Sequence, residues 1–243
     1  MLYWFLKRII LGPILTLLYR PKVTGKKNLP KTGAAILASN HMSFSDSIFL
    51  PLAVPRRITF LAKSEYFTGR GPKGWLIKKF FEGAGQVPID RSGGRASEAA
   101  VNTAIKILKS GELLGIYPEG TRSPDGRLYR GRTGMARIAI EAGVPVIPVA
   151  MIGTYDIQPI GQVLPKIMRV GVAIGEPIDM SQFAGRQKDP VALREATNLV
   201  MDALKELGGQ EYVDIYATKA KEILANPESD ATDAEIAADA EEN

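Results

Sequence analysis

The chain has 243 residues, 45% hydrophobic and 23% charged, with a formal net charge of +5. That length can bury one substantial core, and the balance is that of an ordinary globular protein. With no cysteine and a single histidine, His41, the chain excludes disulfides, thiolate metal sites and a cysteine nucleophile, and it holds too few soft ligands for a zinc site.

The charge is unevenly spread. The last eighteen residues hold seven acids and no base, which leaves +12 on the rest (31 bases against 19 acids). Residues 1–80 alone hold fourteen Lys or Arg against Asp46 and Glu65. Such a field draws phosphate-bearing partners: a membrane surface, a nucleotide-like ligand or nucleic acid. A basic surface kept for solubility would give the same excess.

The opening, MLYWFLKRIILGPILTLLYRPK, is apolar without reading as a membrane span. Lys7 and Arg8 interrupt it, Gly12-Pro13 breaks its period, and the uncharged run 9–19 falls short of the roughly 20 residues a span needs. No small-residue cleavage site follows it, so it does not read as a signal peptide. Tyr3, Trp4, Phe5 and Tyr19 beside Lys7, Arg8, Arg20 and Lys22 are the mix found on helices lying among lipid headgroups. Residues 1–22 are therefore expected to form an N-terminal amphipathic membrane-associating helix; the alternative is a helix packed on the domain's own core.

Strands are predicted at 34–39 (AAILAS), 58–62 (ITFLA), 85–89, 113–117 (LLGIY), 146–151 and 168–174, and helices at 43–52, 74–81, 94–108, 134–142 and 191–207. Their alternation predicts one α/β domain over 23–225, with a mixed, largely parallel central sheet flanked by helices. Residues 226–243, acidic and free of aromatics, read as a solvated, disordered tail.

Four blocks carry the chemistry. The first, SNHMSFSD, follows the strand AAILAS, at the strand end that faces the ligand crevice of an α/β sheet. A tight turn there would bring Asp46 back to the His41 imidazole, fix its tautomer and leave the other nitrogen as a base. The same residues serve a blander purpose equally well, since Ser43, Ser45 or Asp46 could cap the next helix. The second block, GQVPIDRSGG, ends a strand on Arg91 and two glycines, which suits a phosphate or a plain surface loop. In the third, YPEGTRS, Gly120 permits close approach, Thr121 and Ser123 offer hydroxyls, and Glu119 and Arg122 offer opposed charges. A turn closed by a surface ion pair is the simpler account. The fourth, VPVIPV (144–149), has no reactive group.

In this order the blocks resemble the four-motif signature of the glycerolipid acyltransferases, the lysophosphatidic acid acyltransferases above all, over roughly residues 24–180. Tyr117 stands where that family more often has Phe. The resemblance implies a His41–Asp46 dyad acting on an acyl thioester. It also implies an acceptor site of Arg91, Glu119, Gly120 and Arg122, with both arginines near the acceptor's phosphate. Thr121 in the same loop, and Lys63 after ITFLA, join that list as further candidates.

The expected reaction transfers a fatty acyl chain from acyl-CoA or acyl carrier protein to 1-acyl-sn-glycerol-3-phosphate, forming phosphatidic acid. The partners are then the acyl donor, lysophosphatidic acid and membrane lipids, with no nucleic acid, no metal and no cofactor beyond the donor. The place is the cytoplasmic face of the cell membrane, peripheral or monotopic. Two alternatives stay open: a sister acyltransferase using glycerol-3-phosphate or another lysophospholipid, and a non-catalytic membrane-binding module, which leaves SNHMSFSD and PEGTRS without a purpose.

Overall fold

The computed structural model of the chain describes residues 2–83, 85–89 and 94–226. Nine strands occur among them: β1 (Lys22–Thr24), β2 (Ala35–Ser39), β3 (Ile58–Lys63), β4 (Gln86–Ile89), β5 (Leu113–Ile116), β6 (Leu128–Tyr129), β7 (Val146–Ile152), β8 (Gly171–Ile174) and β9 (Tyr212–Val213). The helices are α1 (Leu2–Phe5), α2 (Leu11–Tyr19), α3 (Asp46–Ala53), α4 (Gly71–Gly83), α5 (Gly94–Lys109), α6 (Gly134–Ala142), α7 (Thr154–Ile157), α8 (Pro190–Gly208) and α9 (Ala217–Ala225). Seven strands form one sheet in the order β1-β8-β7-β2-β5-β3-β4, and β6 pairs with β9 apart from it. Every pairing in the large sheet is parallel except β7 with β8. The α/β class with a largely parallel sheet is thus as the sequence predicts.

β2 lies at the centre, buried at all five positions, and its side chains alternate between two cores. Ile36 and Ala38 point to the side packed by α5, α6 and α8; Ala35 and Leu37 point to the side packed by α3 and the end of α2. Local signals set the boundaries of α8. Asp189 accepts from Val191 N and Ala192 N, Pro190 occupies the first turn, and Gly209 closes the helix at φ +65°.

Residues 2–19 are helical throughout, with a π-helical turn at Leu6–Ile10 between α1 and α2. Gly12-Pro13, which breaks the apolar period of the sequence, does not break the helix. The wider turn, closed by Leu11 N–H on Leu6 O, precedes the proline, and a Cβ at Gly12 would run into the Lys7 carbonyl. The segment packs on the domain: Tyr3 and Tyr19 are buried, Tyr19 meets Phe49 edge-on at 5.1 Å, and Lys7 Nζ donates to Val54 O at the end of α3. Burial, with Arg8 second, lowers the Lys7 pKa to about 8. The outer side carries Phe5, Ile9, Ile14, Leu17 and Leu18, all exposed. Among the described residues no helix is long and apolar enough to cross a membrane. The expected boundary at residue 22 falls inside the sheet, because Lys22 opens β1. The acidic tail, apart from Asn226, lies outside the described residues.

Candidate active site

β2 and β5 are neighbours, yet the chain leaves their carboxyl ends in opposite directions. From β2 it enters α3, whose Phe49 and Leu50 pack with Leu37; from β5 it reaches α6, whose Met135 and Ala139 pack with Ile36 on the other face. Ligands of α/β sheets bind at such switch points. The loops that flank this one are SNHMSFSD and YPEGTRS.

Asp46 opens α3 and turns its carboxylate back over the preceding turn. Oδ2 accepts from Met42 N (2.7 Å) and Ser43 N (2.8 Å), and His41 Nδ1 lies 3.0 Å from it. The amides hold the carboxylate, and the carboxylate holds the imidazole with Nδ1 protonated and the lone pair on Nε2. Asp46 is fully buried while the His41 side chain keeps 17% exposure, so the imidazole alone meets the crevice. Tyr117 lies flat against it, centroids 3.8 Å apart and planes within 11°, and its hydroxyl lies 3.1 Å from Ser47 Oγ. Burial, with the nearby Asp46 carboxylate, raises the Tyr117 pKa and keeps the phenol neutral.

The capping role open to Ser43, Ser45 and Asp46 is not what their side chains do. Ser43 Oγ donates to Gln158 O (2.9 Å), Ser45 Oγ donates to Gln158 Oε1 (2.7 Å), and no side chain caps α3. Both serines are buried, which removes them as exposed nucleophiles.

Glu119 faces inward. At 1% exposure its Oε1 accepts from His41 N (2.8 Å) and its Oε2 from Tyr129 N (3.0 Å). It ties the two loops together, helped by Ser123 N donating to His41 O at 2.7 Å. The surface ion pair with Arg122 that the spacing allowed is not formed. Burial pushes the Glu119 pKa up to about 8 against the pull of its two amide donors, with Asp46 adding to the rise and Lys221 opposing it.

Gly120 adopts φ +76°, a left-handed conformation that only glycine takes without strain, with the Arg132 side chain against it. Thr121 Oγ1 accepts from Lys221 Nζ at 2.6 Å. Burial lowers the pKa of Lys221, the nearby Arg122 guanidinium lowers it further, and Glu119 opposes both. Among the described residues Arg122, half-buried, has no hydrogen bond or ion pair. Lys221 belongs to α9, a helix the sequence reading passed over. Its apolar spacing is readable, but its contact with Thr121 spans 100 residues of chain. Lys63 closes β3 at the same sheet edge, in register with Ile89 of β4, and is described by its backbone alone. Arg91 lies outside the described residues. No three potential metal ligands gather among the described residues.

The family model described as Acyltransferase matches residues 20–152. This chain belongs to the acyltransferase family. The match contains both loops and the whole His41–Asp46 pair, and it stops short of α9. Over 198 residues this acyltransferase-family chain is 33% identical to a 1-acyl-sn-glycerol-3-phosphate acyltransferase of Bacillus subtilis, covering 80% of the chain and 91% of that protein. A chloroplastic protein of the same description from Brassica napus is 33% identical over 144 residues, 59% of this chain; the chain spans only 40% of its length. The crystal structure of the 1-acyl-sn-glycerophosphate acyltransferase PlsC from Thermotoga maritima superposes with a TM-score of 0.62 at 31% identity, covering 81% of this chain and 76% of that one.

Proposed function

We propose that this acyltransferase moves a fatty acyl chain from an acyl thioester, acyl-CoA or acyl carrier protein, to the free hydroxyl of 1-acyl-sn-glycerol-3-phosphate at a membrane surface. The product is phosphatidic acid. The observation that carries this reading is the His41–Asp46 pair, built from a buried carboxylate and a part-exposed imidazole at the sheet's switch point. A glycerol hydroxyl is a poor nucleophile until a base takes its proton, and an imidazole is the side chain best able to take up and return a proton near neutral pH. His41 Nε2 accepts the hydroxyl proton as the oxygen attacks the thioester carbonyl. The C–S bond then breaks, and the departing thiolate takes the proton from the imidazolium, so the base is regenerated without an acyl-enzyme. Asp46 stabilises the transient imidazolium, and the Tyr117 ring keeps it in plane.

Arg122, Lys221 and the Thr121 hydroxyl form the acceptor's phosphate site, with Lys63 at the end of β3 and Arg91 as further candidate cations. Gly120 lets the backbone approach, and Glu119 positions the two loops without touching substrate. Leu11, Leu15, Ile48 and Leu52 line an apolar groove between α2 and α3 that reaches Ser47, one residue past the dyad. That groove suits an acyl chain.

His41→Ala is expected to leave a folded protein that still binds vesicles, with transfer reduced at least ~10²-fold. Wild-type turnover in this variant would sink the mechanism. Offering lysophosphatidic acid and glycerol-3-phosphate in parallel, with one long-chain acyl-CoA, tests the acceptor. A preference for glycerol-3-phosphate keeps the phosphate site and changes the substrate.

A further inference from the structure

The segment after α7 has an odd distribution of its polar and apolar groups. Val163 is 84% exposed, Leu164 78% and Ile167 63%, with Ile160 and Met168 also exposed. Two carbonyls and one amide beneath them are nevertheless paired within the segment or with α7. Gln158 Nε2 donates to Val163 O (2.9 Å) and Gln162 Nε2 to Leu164 O (2.6 Å), while Lys166 N donates to Ile157 O (2.9 Å). A tip built this way can leave water without stranding those carbonyls, which is what an apolar solvent demands. Its charges are all of one sign: Lys166 and Arg169 stand in it, and no acid occurs from 157 to 175.

Its position is equally telling. The segment leaves the carboxyl end of β7, the edge where β2 presents the His41–Asp46 pair and β5 the YPEGTRS loop, and returns through β8. At its far end Arg169 Nε reaches Arg20 O and Lys22 N donates to Val170 O, so it adjoins the end of α2 and that helix's exposed Leu17 and Leu18. At its near end Gln158 holds both serines of the dyad loop, through Ser43 Oγ and Ser45 Oγ.

We propose that residues 160–168 are a second membrane-insertion element, whose Val163, Leu164 and Ile167 enter the acyl region of an anionic bilayer while Lys166 and Arg169 meet the headgroups. This inference rests on the membrane-surface reading above and extends it to a segment far in sequence from the N-terminal helix. The element is continuous in space with the outer face of α2, and through Gln158 it sits directly on the loop that carries His41.

The absence of cysteine makes the test direct. Val163→Cys, Leu17→Cys and Lys109→Cys in the full chain each create one thiol for a polarity-sensitive fluorophore; Lys109 is exposed at the end of α5, across the sheet. With vesicles of phosphatidylcholine and phosphatidylglycerol, the labels at 163 and 17 should shift to the blue and be quenched by brominated lipid, and the label at 109 should do neither. Leu164→Asp in the unlabelled chain should weaken partition onto the same vesicles by about tenfold or more. A response at 17 with none at 163 overturns the insertion of this loop and leaves the membrane reading standing. Silence at both positions overturns both. A blue shift at 163 without vesicles that grows with protein concentration would overturn it in favour of a second copy of the chain.

Discussion

At the dyad, each neighbour of His41 does a separate job, and sequence spacing could anticipate only some of them. The offset of five residues predicted a returning carboxylate, and the turn indeed brings Asp46 to 3.0 Å from Nδ1. The offset could not foretell that two backbone amides share the same oxygen, because they come from the turn's conformation and not from residue type. Glu119 was legible as a candidate for the acceptor site but not by its posture, since charged residues in glycine turns usually point outward. Its burial gives a signed prediction. The folded chain holds this proton up to about 8, against 4.5 for the group in the open. Between those values the unfolded state sheds the proton first, so stability should fall as pH rises from about 4.5 to about 8 and level off above. Glu119→Gln does not titrate and should flatten that decline, while lowering stability overall because its amide confronts a backbone N–H. Urea midpoints of both proteins across this window measure it. An equal decline in wild type and variant would remove Glu119 as its source.

Among the elements, those with strong period were readable and those made by tertiary contact were not. The strand AAILAS and the helices at 94–108 and 191–207 appear within a residue or two of expectation. β1, β6 and β9, each two or three residues long, exist because a partner strand lies beside them, and so short a run shows no alternation to find. α9 matters most among the omissions. It follows every recognisable motif, yet it brings Lys221 to the Thr121–Arg122 turn. Lys221→Met should raise the apparent KM for a phosphorylated acceptor by roughly ten- to a hundredfold, the cost of a charge-assisted contact of about 1.5–3 kcal/mol. Its effect on kcat should be small, and Lys221→Arg should restore much of the loss. A variant that lowers kcat with KM unchanged would assign Lys221 to loop structure instead of phosphate.

For the molecule as a whole, the N-terminal segment packs on the core through one side and leaves apolar side chains exposed on the other. Aromatics and bases in that proportion suited either a membrane or the core, and periodicity could not choose, because the helix is apolar on both sides. Tyr3 and Tyr19 serve the core, and Phe5, Ile9, Ile14, Leu17 and Leu18 remain outside. Removing the whole helix would therefore confuse two effects, for it would uncover Phe49 and the α3 surface as well as any membrane face. Single substitutions separate them. Tyr19→Ala takes a buried ring from the core and should cost about 3–5 kcal/mol in unfolding, with vesicle affinity unchanged in whatever remains folded. Leu17→Asp should leave the unfolding curve nearly in place and release the protein from anionic vesicles. That release should be strongest at high salt, where the Debye length falls to about 3 Å at 1 M and the basic first third no longer holds the protein electrostatically. Co-sedimentation at low and high salt reads the difference. If Leu17→Asp binds as tightly as wild type at high salt, the outer face of α2 is not the lipid contact, whatever the charge of the molecule draws it towards.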